Sequence, residues 1–375
     1  MYKRQNLLLA LNQLNIGLAL EAGLCISLIA ILLDKMSLAW ANKQTDYFGN
    51  LTFFQRNKNV IFFAASFVIG IILAYVGTFI FKGSFNYLFE IPHNKGISTA
   101  DFWNKGVDWI FDTFFVYIKA FNTWLIQDVL QPMRALYLRM PAVATLVLAV
   151  GAGYLIGGVR SALVVAALTL FIALSPWWDR ALVTLYMATF GVVISCLIGF
   201  TVGTLCFQNK KSAAFMLGVC DIFQTFPSFV YLIPVMMLFG ITDTSVLIAV
   251  IVYATIPATR YTIEGLRSVP SGLHDAATMS GVTKFQRLFK IEFPLAFPHM
   301  MLGLNQTIVF ALFMVIIGAF IGTEDLGQYI LKALSDKKGA GIGLTLGICV
   351  AFIGLIFDNL IRTWVDKRKK HLGID

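Results

Sequence analysis

Unbroken apolar runs of 18 or more residues recur along this 375-residue chain, and they limit what it can fold into. A run of that length, wound as a helix, crosses about 30 Å of hydrocarbon. In lipid every backbone N–H and C=O must be satisfied internally, so a spanning segment is a helix or part of a closed barrel. A barrel needs apolar and polar residues in alternation, and these runs are continuous. The chain therefore reads as all-α, a polytopic helical membrane protein. Composition agrees: 58% of residues are hydrophobic and 13% charged, where a soluble domain carries about 25% charge. Met1 to Arg4 are basic, but the apolar stretch after them is long and ends in no small-residue cleavage site. No cleavable signal is expected.

Walking the runs predicts nine spans, near 13–33, 60–81, 142–158, 161–175, 181–206, 222–240, 245–260, 296–321 and 342–364. Three of them (142–158, 161–175 and 245–260) are short, which suggests a partial or tilted helix. The tail Lys367-Arg368-Lys369-Lys370 places the C-terminus in the cytoplasm. Alternating back from it puts 34–59, 159–161, 207–221 and 261–295 on the same side, and these together with Arg260 and everything from Arg362 onward hold 17 of the 29 Lys and Arg. Lys3 and Arg4 fall on the other side and run against this bias. A formal charge of +9 suggests nucleic acid in a soluble protein. Here the basic residues sit in connectors and orient the chain, so no nucleic-acid partner is expected.

Region 82–140 differs from the rest. Trp103, Val107, Ile110, Phe114, Ile118, Phe121 and Leu125 recur every three or four residues, with Asp101, Asp108, Asp112, Lys119 and Asn122 largely between them. That pattern is an amphipathic helix. Trp103, Trp109 and Trp124 suit the headgroup layer. The expected organisation is a membrane extension over 1–98, an interfacial scaffold helix over 99–140, the main transmembrane domain over 141–366 and a basic tail over 367–375.

Several chemistries are not indicated. The five cysteines lie in or beside apolar segments with no metal-ligand spacing. His93, His299 and His371 form no catalytic or metal pattern with acidic residues. Gly-x-x-x-x-Gly-Lys-Ser/Thr does not occur, so the chain has no phosphate loop of that type. No catalytic residue, metal or cofactor is expected.

The polar interlude before the eighth run is the most informative motif. It reads Asp275-Ala276-Ala277, three residues, Gly281, nine residues, then Ile291-Glu292-Phe293-Pro294. The first triplet makes a small-residue helix face. Gly281 allows a left-handed turn. Thr283 can cap a second helix through Phe285, Leu288 and Phe289. Pro294 then opens the next span, where a missing N–H costs nothing. Small residues with an exposed Phe suit insertion into a groove on a partner.

This stretch resembles the cytoplasmic loop of importer-type ABC permeases: Glu-Ala-Ala, three residues, Gly, nine residues, Ile-x-Leu-Pro. Asp275 stands for Glu and Phe293 for Leu. The resemblance implies a helix–turn–helix that docks on a separate ATPase subunit. Its residues here are Glu264, Arg267, Asp275, Ala276 and Ala277, then Gly281, Phe285, Ile291 and Pro294. Gln224 to Val235 and Gly303 to Ile308 resemble the proline/glycine betaine branch, and Gly322 to Gln328 resembles it in part. The likeness covers roughly 140–365. It implies a type I importer permease, MetI-like, with extra N-terminal helices. It also implies a homodimer, two ATP-binding subunits, an external or lipid-anchored substrate-binding protein, surrounding lipid, and the bacterial inner membrane.

Physics points to a path near the same segments. Pro227 and Pro234 interrupt one span and free carbonyls that need partners or a lined cavity. Asn305, Gln306 and Thr307 are polar in an apolar helix. Tyr231, Asn305 and Gln306 are expected to face a central interface, with Tyr231, Phe226 and Phe229 offering ring faces to a quaternary ammonium. The implied substrates are glycine betaine, proline betaine, choline and their kin. The alternatives are an ion-driven secondary transporter and an intramembrane enzyme. The first commonly buries ionisable residues near the midplane, yet segments beyond 140 read as almost free of them. The second lacks its catalytic pairs.

Overall fold

The computed structural model describes residues 16–41, 58–80, 98–336 and 339–372; these are largely helical, with no strand among them. Lys3, Arg4 and most of the expected connectors 34–59 and 82–98 lie outside the described residues. Two N-terminal helices, α1 (Ile16–Ala41) and α2 (Lys58–Ile80), occupy the first two expected spans. They are followed by α3 (Ala100–Trp124), a π-helical turn Leu125–Leu130 and α4 (Gln131–Leu138). This rod is about 58 Å long at 1.5 Å per residue.

The permease-like part begins with α5 (Ala142–Leu174) and α6 (Trp178–Phe207), then α7 (Lys210–Thr225) and α8 (Phe229–Phe239), then α9 (Asp243–Arg267). A hairpin follows, α10 (Ser271–Met279) and α11 (Lys284–Arg287), and through a π-helical turn Leu288–Glu292 it enters α12 (Phe293–Gly318). The last helices are α13 (Leu326–Ser335) and α14 (Ala340–Leu372). Among the described residues five helical stretches are, by length and composition, long and apolar enough to cross a membrane: α5 taken end to end across its break, α6, α9, the continuous Lys284–Gly318 and Ala340–Lys370.

Two sequence expectations change. The run 222–240 is not one span: α7 and α8 meet at 89°, because Pro227 sits in the break at Phe226–Ser228. Pro234 lies inside α8 and does not break it. The run at 245–260 is not short. Its helix continues to Arg267, since Arg260 is matched there by acidic partners and need not end the span. The runs 142–158 and 161–175 stay two helical arms within α5, which breaks between them at Gly158, whose φ of 71° suits only glycine. A Cβ on Gly153 would lie 3.1 Å from Ala162 Cα, so the two arms fold back on each other.

The centre of the molecule is α6, α9 and α12. Along α6 the residues Gly191, Ser195, Gly199 and Gly203 recur every fourth position and face α9, the small-residue spacing that lets membrane helices approach closely. A Cβ on Gly199 would stand 2.5 Å from Ala258 Cβ and 3.0 Å from Thr259 N. Ser195 Oγ donates to the Ile251 carbonyl at 3.2 Å, using the same closeness for a hydrogen bond. Because α6 and α9 run parallel, with Gly191 against Val250 and Gly203 against Thr262, Phe207 and Arg267 share one end with the hairpin, and Trp178 and Asp243 share the other.

Candidate functional sites

The hairpin is built as its residues dictate. Helix α10 ends in a Schellman motif: Val282 N–H donates to the Ala277 carbonyl and Gly281 N–H to that of Thr278, each at 3.1 Å. Gly281 takes the left-handed conformation this needs, φ 70°. Two residues later Thr283 Oγ1 accepts from Gln286 N–H at 3.3 Å, while Gln286 Oε1 accepts from Thr283 N–H at 3.1 Å. That reciprocal capping box starts α11. The turn is therefore pinned from both sides. Pro294 opens α12 as expected, but the chain is helical without a break from Lys284. The wider π-helical turn just before Pro294 makes room for its ring.

Asp275 and Ala276 are exposed and Ala277 is buried. Beyond the motif, Met279 (91% exposed) and Phe285 (70%) stand out from the tip, with Leu273 and Phe289 beside them. The Phe285 and Phe289 rings lie 4.4 Å apart. Ile291 is half-buried, and Glu292 below it is buried in an ion pair with Arg287 at 2.9 Å. The apolar tip residues, rimmed by Lys284, Lys290 and Asp275, form an exposed apolar surface with a charged edge.

Glu264 and Arg267 lie on the last turns of α9, outside the hairpin, and are turned to α7. Arg260 pairs with Glu264 at 3.0 Å and with Asp221 of α7 at 2.7 Å, and donates to Gln224 Oε1 at 3.0 Å. Arg267 donates to the Lys210 carbonyl at 3.3 Å. These bonds tie the broken span to the helix that enters the hairpin.

At the break itself, Phe226 caps the end of α7 and Pro227 leads into α8. Phe226 and Tyr231 line a cavity of about 330 Å³ together with Phe223 and Pro234. The Tyr231 hydroxyl donates to the Phe223 carbonyl.

Asn305 is not brought to Tyr231. Its side-chain N–H donates to Asp358 Oδ1 of α14 at 2.6 Å, and Asp358 also pairs with Arg362 at 2.6 Å. Gln306, one residue on, shares a helix stripe with Phe310 and Phe313 at i+4 and i+7. The reading of the spans as nearly free of ionisable groups is corrected here. Asp358 and Arg362 lie within the expected span 342–364, and Asp221, Arg260 and Glu264 lie on or beside helices near the break. Asn305→Leu is expected to lower the melting temperature by an amount equivalent to about 1 kcal/mol and to leave uptake per intact complex unchanged. Lost uptake in a fully stable variant would contradict this.

A second polar cluster, not anticipated from the sequence, sits at the end opposite the hairpin. Arg134 of α4 reaches Glu324 at 2.7 Å, Arg180 of α6 reaches the same carboxylate at 3.4 Å, and Tyr186 donates to Asp243 at 2.8 Å. Hydrogen bonding to Arg134 and the charge of that guanidinium hold the Glu324 carboxyl below its usual range. Beside it Asp325 caps α13, accepting from Gln328 N–H at 3.0 Å. It is 2% exposed. Burial pushes its carboxyl up to about 7, and Asp243 adds to the rise.

A raised carboxyl makes the fold prefer the protonated form, so Asp325's contribution is complete below about pH 4 and is lost as pH rises through 7. The whole change is on the order of 4 kcal/mol. Asp325→Asn keeps a good cap and removes the titration. Melting of the variant in detergent is expected to be flatter from pH 5 to 8 than that of the parent, and higher at pH 8. Parallel curves for the two would refute this.

Fold and sites together define a multi-pass helical membrane protein with a doubly capped, apolar-tipped hairpin at one end of its central helices. The comparisons then place it. Residues 191–371 match the family model "Binding-protein-dependent transport system inner membrane component". The chain is 87% identical over 98% of its length to the trimethylamine N-oxide transport system permease protein TmoV of Pelagibacter ubique. It is 30% identical to the glycine betaine/proline betaine transport system permease protein ProW of Escherichia coli, over 72% of this chain and 76% of that one. A chain of the MetNI methionine ABC transporter is 20% identical, with 49% of this chain and 92% of that chain covered and a TM-score of 0.45. The chain belongs to the binding-protein-dependent transport system permease family. It spans about half the length of the trimethylamine N-oxide permeases it resembles, 52% and 55% in two of them.

Proposed function

We propose that the chain is the membrane-spanning part of an ABC importer that moves a small methylated amine oxide or betaine across the bacterial inner membrane. A separate ATPase drives it through the hairpin. The observation that carries this reading is the hairpin: doubly capped, apolar at its tip and joined without a break to the span Lys284–Gly318. The trimethylamine N-oxide named for the relative identical at 87% of positions favours that solute within the class. Family membership favours the importer over the ion-driven carrier.

The partners that follow are two ATP-binding subunits, a second copy of this permease and a substrate-binding protein on the far side. Co-reconstitution with the ATPase and binding protein of the same system should give ATP-dependent uptake of labelled trimethylamine N-oxide. Uptake that runs on an ion gradient without ATP would sink the reading.

The rod α3–α4 fits an interfacial scaffold. Asn122 bonds to the Phe239 carbonyl and Arg134 approaches Asp243. Those two rod residues are about 18 Å apart along the axis, yet their partners sit within four residues of each other at one end of the bundle. A rod lying across the helix ends satisfies both contacts. Within it Trp103, Val107, Ile118, Leu125, Phe111 and Asn122 are buried or half-buried, whereas Ile110, Phe114 and Phe121 are exposed. Cysteines introduced at the exposed positions 101 and 124 are expected to react with an impermeant reagent from the same side; labelling from opposite sides refutes a flat rod.

A further inference from the structure

The break between α7 and α8 gathers more rings than the sequence motif contains. Phe223 lies 6.3 Å from Phe226 and 5.8 Å from Tyr231 between centroids. Tyr231 lies 5.6 Å from Tyr253 of α9, which stacks at 4.8 Å on Phe310 of α12 and sits 6.4 Å from Phe313. The rings form one ladder across four helices, and it begins at the 330 Å³ cavity, a volume at the lower end of ligand pockets, about 300–1,000 Å³. No charged side chain lines that cavity. The Tyr231 hydroxyl is committed to the Phe223 carbonyl, which fixes its ring. Phe223 is 38% and Phe313 50% exposed, so both ends of the ladder are accessible.

We propose that this ladder binds the methylated ammonium head of the transported solute by successive cation–π contacts, and so gives the permease its own selectivity. This deepens the importer reading and rests on it. A trimethylated nitrogen spreads its charge over methyl groups and sheds water easily, so ring faces within about 6 Å attract it. A bare ammonium must leave strong hydrogen bonds behind, and an uncharged apolar cavity returns none of them. A neutral isostere fits the space but meets no electrostatic attraction.

The test uses the intact complex in nanodiscs with tetramethylammonium chloride, read by saturation transfer to its methyl protons. Choline and its carbon isostere 3,3-dimethylbutan-1-ol form the matched pair. Phe223→Leu and Phe313→Leu, both partly exposed and so safe for folding, are each expected to weaken tetramethylammonium binding roughly fivefold. Phe223→Tyr is expected to stay within about twofold, because the ring face remains. Choline binds and the isostere does not. Unchanged binding in both Leu variants, or equal binding of choline and the isostere, overturns the proposal. Ring-dependent binding in a complex that shows no ATP-driven uptake would support the ladder and remove the importer reading alone.

Discussion

Phe285→Asp is expected to abolish ATP-driven uptake and co-purification of the ATPase while the permease inserts and melts normally. Phe285 is 70% exposed and its ring lies against Phe289, itself half exposed, so the fold does not need it. An exposed aromatic at the tip of a rigid hairpin is the kind of anchor that dominates an interface. Removing one costs about 2 kcal/mol or more, roughly thirtyfold in affinity, and aspartate adds a charge where the partner's groove must be dry.

Two contrasts separate docking from folding. Ala277 is buried, so Ala277→Glu should melt the hairpin rather than merely blunt it. Gly281 has open space around a Cβ but holds φ 70°, so Gly281→Ala should cost only about 1–2 kcal/mol of local strain. Normal ATPase recovery with Phe285→Asp would show that the tip is not the docking point.

The other large effect is expected at α6. Gly199→Leu should remove the folded protein from the membrane. Its Cβ would meet Ala258 Cβ at 2.5 Å, Thr259 N at 3.0 Å and the Thr255 carbonyl at 3.1 Å. Backbone atoms cannot rotate away, so α6 and α9 must separate. Overpacking of this kind costs about 1–3 kcal/mol where side chains yield, and more here. The separation also breaks the Ser195 to Ile251 bond four residues away. Gly151→Leu is the control, because nothing lies within 4 Å of a Cβ there. Equal yields and melting temperatures for the two variants would refute the argument.

Legibility differed between the two candidate sites for a physical reason. The hairpin is local: its Schellman turn, its cap and its opening proline are all made by residues within about six positions of one another. A sequence pattern records such interactions directly. The ring ladder is not local. Phe226 and Tyr231 are named by the motif around Pro227, but Tyr253, Phe310 and Phe313 join them only because α9 and α12 pack beside the break. In sequence each is one more aromatic in an apolar run. Asn305 shows the same limit from the other side. Its polarity marks it as important, and only the fold supplies its partner, Asp358.

The chain's own pattern was enough to determine that it is a helical membrane protein, where its long helices lie, and how the hairpin turns. These follow from backbone satisfaction in lipid and from capping, which act within a segment. It could not determine that 222–240 is two helices at 89°, that the helix at 245–260 extends to Arg267, or that Arg260, Asp221 and Gln224 form one cluster. Those outcomes depend on which side chains from distant segments meet a charge or a freed carbonyl. An apolar run looks the same whether it crosses the membrane straight or bends at a proline whose neighbours can accept the break.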